Sequence, residues 1–82
     1  MQKPHYFLIL DHDVMKFNVL GPILSDEKWT NKIADLQGAG RHINCSTFPA
    51  DGDRAQRIAE YATNHPSYTY SDELLVPELA EA

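Results

Sequence analysis

A single cysteine, Cys45, cannot close an internal disulfide, so the fold does not depend on an oxidising compartment. Long apolar runs are also missing. The nearest candidate, Tyr6-Phe7-Leu8-Ile9-Leu10 after Lys3 and Pro4, is too short for a membrane span or a signal-peptide core. Together these absences predict a soluble, cytoplasmic protein with no membrane partner. Cations are missing from one end of the chain. All seven Lys and Arg lie at or before Arg57, whereas Glu60, Asp72, Glu73, Glu78 and Glu81 follow with no Lys or Arg among them. Residues 1–57 balance, so the net charge of −5 belongs to residues 58–82. Phosphate contacts need the opposite excess, which argues against direct binding of DNA or RNA.

Several catalytic and cofactor signatures are absent as well. Gly38-Ala39-Gly40 resembles a piece of a phosphate loop, but it follows a helix and precedes a strand, the reverse of what such a loop requires. The loop from Phe48 to Asp53 has the right order, yet Asp51 and Asp53 would repel a phosphate. There is no nucleophile elbow of the Gly-x-Ser-x-Gly type and no His-Glu-x-x-His zinc helix. No cofactor is implied. A chain of 82 residues also leaves little room for a cleft built on its own residues. The expectation is therefore non-enzymatic.

What is present begins with Tyr6–Leu10, five apolar residues in a row that suit a strand covered on both faces. Met15, Phe17 and Val19 then alternate with Lys16 and Asn18, the pattern of a half-buried strand. Asp11-His12-Asp13 connects the two as a hairpin turn, and Gly21-Pro22 is expected to end the second strand. A helix is expected from Ser25 as N-cap, with Leu24 stapled onto Trp29. Trp29, Ile33 and Leu36 form its apolar stripe, and Gly38-Ala39-Gly40 its stop.

Arg41–Phe48 reads as a third strand, with Ile43, Cys45 and Thr47 on one face. The helix before it makes it parallel to the second. Asp53 caps a second helix with a stripe of Ala55, Ile58, Ala59 and Ala62, which His65-Pro66 ends. The predicted fold is α+β, a small two-layer sandwich of order ββαβα. Its three strands run 2-1-3, two helices pack on the sheet, and a short fourth strand is possible at Ser67–Tyr70. Residues 1–66 would form the compact domain and 67–82 an acidic arm or tail, with residues 78–82 frayed. Size scaling predicts roughly 5,000 Å² of exposed surface for the folded chain.

Two constellations could carry function. Asp11, His12 and Asp13 offer carboxylates and an imidazole for a divalent metal or for acid–base chemistry, against the plainer role of a solvated turn. Tyr68, Tyr70, Asp72, Glu73 and Leu74 combine aromatic area with negative charge, which suits a protein partner of basic character. Self-association through the same segment would make a homodimer. The leading expectation is a protein-interaction module acting through this segment. An acidic inhibitor that occupies a nucleic-acid-binding groove of another protein is the third reading. Cys45 reads as a small core residue, because His42 lies three positions away on a strand and faces the other side.

Overall fold

A computed structural model describes residues 3–81. Strand β1 runs His5–Asp11, β2 Lys16–Ile23, helix α1 Glu27–Gly38, β3 Ile43–Pro49, α2 Arg54–Asn64 and β4 Thr69–Tyr70, with a 3₁₀ helix at Pro77–Glu81. The strands form one mixed sheet in the order β3-β1-β2-β4. The fold is α+β, as the pattern of apolar runs predicts. The three long strands keep the expected neighbours, and β4 is added outside β2.

Both β2 and β3 are antiparallel to β1, hence parallel to each other, and β4 is parallel to β2. The connection through α1 therefore crosses β1 in one direction, and the connection through α2 crosses back in the other. Crossovers of one hand that travel in opposite directions must lie on opposite faces of the sheet. The core divides accordingly. Phe7, Ile9 and Ile43 pack beneath α1, against its Ile33, and beneath the 3₁₀ helix. Tyr6, Leu8, Phe17 and Val19 pack beneath α2, against Ile58, Tyr61 and Ala62. The molecule thus has three layers where the sequence suggested two. Alternate residues of β1 feed the two cores, which is why this strand is apolar throughout. The exposed surface, 5271 Å², matches the scaling expectation for a compact chain of this size.

Local signals explain most boundaries. Gly40 takes φ 98°, Arg41 N–H donates to Leu36 O at 3.0 Å, and Gly40 N–H donates to Gln37 O at 3.0 Å. That is a Schellman stop for α1. The start of α1 differs from expectation. Asp26, not Ser25, holds the N-cap position, its carboxylate accepts from Thr30 Oγ1 at 3.0 Å, and Leu24 is 58 % exposed. Asp53 caps α2 as predicted, accepting from Ala55 N–H at 3.0 Å. Its buried side is Ile58, Tyr61 and Ala62, whereas Ala55 and Ala59 are exposed. The Tyr61 ring, 4.8 Å from that of Phe17, turns the helix so that its one large aromatic reaches the sheet.

Gly21-Pro22 does not end β2. The register slips by one residue between His5 and Phe7, a bulge that accommodates the proline within the strand. Gly21 sits at φ 111°, and a Cβ there would meet His5 O at 3.0 Å, so only glycine suits the position.

Beyond Pro66 the chain docks on the same body. Two residues of β4 join β2, Val76 is fully buried, and Leu79 is 3 % exposed within the α1-side core. The fraying expected at 78–82 therefore does not extend to Leu79; Ala82 lies outside the described residues. No helix among the described residues is long and apolar enough to cross a membrane.

Candidate functional site

The turn between β1 and β2, the link from α1 to β3 and the link from α2 to β4 all meet at one end of the sheet. Asp11 supports the turn itself: its Oδ1 accepts from Asp13 N–H at 3.0 Å. This is the local carboxylate-to-backbone bond that makes Asp common in turns. Met15 completes the turn at φ 56°. Main-chain bonding ties in the neighbouring link, since His12 N–H donates to His42 O at 2.9 Å.

Two side-chain pairs follow. His12 Nδ1 and the Tyr68 hydroxyl share a hydrogen bond of 2.5 Å, with the rings edge-on and their centroids 5.7 Å apart. His42 Nδ1 lies 3.0 Å from Asp13 Oδ1, both side chains being largely exposed. An open cleft of about 580 Å³ borders these groups, lined by His12, Asp13, Gln37, Arg41, His42 and Asn44 together with Ile43. Arg41 leaves this cleft to pair with Glu78 of the 3₁₀ helix at 2.9 Å.

The three residues of the turn thus have three separate partners. Among the described residues no group of three or more His, Cys, Asp or Glu side chains is placed to hold a metal ion. What the arrangement offers chemically is an imidazole, His42, steadied at one nitrogen by a carboxylate.

The second constellation is divided by the fold. Tyr68 is half-buried against His12, so the two sequence candidates meet at this one contact. Tyr70 is half-buried against Phe17, at a centroid distance of 5.6 Å, and its hydroxyl accepts from Arg54 at 3.0 Å. Leu74 is half-buried, while Asp72 and Glu73 are exposed.

The residue that shapes this segment was not singled out from the sequence. Asn18, 3 % exposed, donates through Nδ2 to Ser71 O at 2.7 Å and Glu73 O at 2.9 Å, and accepts from Leu75 N–H at 2.6 Å. Ser71 adds a bond from its hydroxyl to Glu73 O at 2.9 Å. A polar residue amid the apolar positions of β2 was the available signal. Its placement on the face opposite Phe17 and Val19 looked like an ordinary solvent-facing position.

Cys45 lies half-buried beside the α1-side core, and burial, aided by the Asp26 charge, pushes its thiol above the ordinary value. Tyr61 is also pushed up, by burial first and by Tyr68 second. The fold and these sites define a small sandwich with a helix on each face of a mixed sheet. No protein-family model, curated protein or solved structure matches the chain.

Proposed function

We propose that this chain is a small protein-binding module whose partner docks on residues 67–77, around Tyr68, Tyr70, Asp72, Glu73 and Leu74. The observation that supports this reading is the hold Asn18 keeps on residues 71–75. A buried amide spends all its bonding on one irregular segment, and Asp72 and Glu73 stay exposed on it. No Lys, Arg or His among the described residues forms an ion pair with either. A preorganised acidic loop loses little entropy on binding and steers a basic surface towards it. The half-buried Tyr68, Tyr70 and Leu74 supply apolar area beside the charges. The partner is a basic protein; a second copy bound through this same segment is the other occupant it would admit.

A second reading has one observation in its favour, the Asp13–His42 pair beside the cleft, which would serve acid–base chemistry on a small molecule.

The full chain, the pair of substitutions Asp72→Asn and Glu73→Gln, and the pair His12→Ala and His42→Ala would be compared in capture from a cell lysate. The expected result is a basic protein held by the full chain and by the histidine variant, and lost with the acidic loop. If the loop variant captures as well as the full chain, the reading fails. Loss only in the histidine variant would favour the cleft. Displacement of the captured protein by DNA would identify the partner as a nucleic-acid-binding protein whose groove the loop occupies.

A further inference from the structure

The two edges of the sheet are finished differently. On the β4 side the edge strand has only two residues, and the main-chain carbonyls of Met15, Phe17 and Val19, which turn away from β1, are taken up within the chain. Thr69 N–H donates to Met15 O at 3.0 Å, Ser71 N–H to Phe17 O at 2.9 Å, and the Arg54 guanidinium to Val19 O. The β3 side has little of this. Strand β3 is seven residues long, Ile43-Asn44-Cys45-Ser46-Thr47-Phe48-Pro49, and carries no charged residue, the commonest guard of an exposed edge.

The ladder shows which of its groups are free. His12 N–H donates to His42 O and Ala50 N–H to Pro4 O, so even-numbered residues on this line turn their main-chain groups towards β1. Ile43, Cys45, Thr47 and Pro49 therefore turn theirs outward. Gln37 Nε2 reaches one of them, Ile43 O, at 2.7 Å. Among the described residues the outward groups of Cys45 and Thr47 have no hydrogen-bond partner.

We infer that a second copy of this chain adds to the free edge, pairing β3 with β3 antiparallel about a two-fold axis at Ser46. In this register Cys45 exchanges both main-chain bonds with Thr47 of the second copy, and symmetry repeats the exchange. Ile43 N–H donates to Pro49 O of the second copy. The reverse bond at that pair is absent from both sides at once, because Pro49 has no N–H and Ile43 O is already held by Gln37.

Moving the axis by one residue spoils the match. With Cys45 on the axis, Thr47 N–H needs the oxygen that Gln37 holds. With Thr47 on the axis, Cys45 O stands opposite a proline.

In this register Arg41 at the entry to one β3 stands opposite Asp51 at the exit of the other. Each is already ion-paired within its own chain, Arg41 with Glu78 and Asp51 with Arg57, so neither end brings an unpaired charge to the pairing. The exposed Ser46 lies on the axis and the exposed Asn44 beside it, both with small polar side chains. An edge so matched to its own copy is an isologous interface. It lies apart from the loop at 71–75 and does not depend on the reading given above.

The full chain would be weighed by light scattering and sedimentation from low-micromolar to near-millimolar concentration, where a monomer–dimer equilibrium is expected. Thr47→Pro removes an outward N–H without touching a bond to β1, and should weaken dimerisation roughly tenfold or more. Ser46→Lys sets two ammonium groups together on the axis and should weaken it likewise. Mixing Ser46→Lys with Ser46→Glu should restore a mixed dimer, which keeps the test decisive should Thr47→Pro not fold.

A chain that stays monomeric throughout overturns the inference. So does a dimer indifferent to both substitutions, or one broken by Asp72→Asn with Glu73→Gln instead.

Discussion

Asn18 shows how much one side chain can decide. Its amide satisfies two carbonyls and an N–H of a segment with no regular structure of its own, and the Asn18 side chain is itself almost wholly buried. Truncation would leave those three groups with fewer partners, at about 1–3 kcal/mol for each left buried and unsatisfied. Asn18→Ala is expected to lower stability by about 3 kcal/mol in urea unfolding and to speed hydrogen exchange at Leu75. Asn18→Asp tests the geometry more sharply. A carboxylate can still accept from Leu75 N–H but faces two carbonyl oxygens with no hydrogen to offer, so it should be no better than alanine. Indifference to both substitutions would mean that the loop holds its own shape.

At the scale of elements, the weight falls on the chain beyond Pro66. Tyr70 covers Phe17 and pairs with Arg54, Val76 and Leu79 complete the α1-side core, and Glu78 holds Arg41 across to the start of β3. A chain ended at Pro66 would expose Phe17 and open that core, so it is expected to lose cooperative unfolding in circular dichroism. The milder Leu79→Ala should cost about 2–5 kcal/mol, the range for large-to-small changes at buried sites. A truncated chain that unfolds as cooperatively as the full one would show that residues 67–81 are dispensable. The acidic segment is thus a brace for both cores, and a test of the proposed partner needs point changes at Asp72 and Glu73 that leave it in place.

For the whole molecule, pH offers a direct check on how the layers close. The Cys45 thiol and the Tyr61 phenol are both pushed above their ordinary values, chiefly by burial in the two halves of the core. A raised folded value means that the unfolded chain gives up its proton first. The contribution is therefore fully present below the unfolded value and is lost as pH rises through the folded one. Stability should fall from about pH 8.5 for the thiol and again from about pH 10 for the phenol. Cys45→Ala should flatten the first decline and Tyr61→Phe the second, read as melting temperature against pH. Slow reaction of Cys45 with a thiol reagent at neutral pH is the matching kinetic expectation.

Much of this was legible in the order of residues. Tyr6–Leu10 is apolar without a break because alternate side chains enter cores on both faces. The Gly38-Ala39-Gly40 stop and the Asp53 cap act within a few residues of themselves, so local chemistry suffices to place them. Ile43 and Cys45 share a face because strand geometry leaves no choice.

Tertiary structure decided the rest. The opposite placement of α1 and α2 follows from the directions of two crossovers, and no single segment records that relation. Gly21-Pro22 looked like a strand end, and only pairing with His5 made it a bulge within β2. His12 meeting Tyr68, and Asn18 meeting Ser71, Glu73 and Leu75, join positions far apart in the chain. Composition and spacing carry local preference; which distant groups come within hydrogen-bond reach is set only when the sheet has closed and both faces are covered.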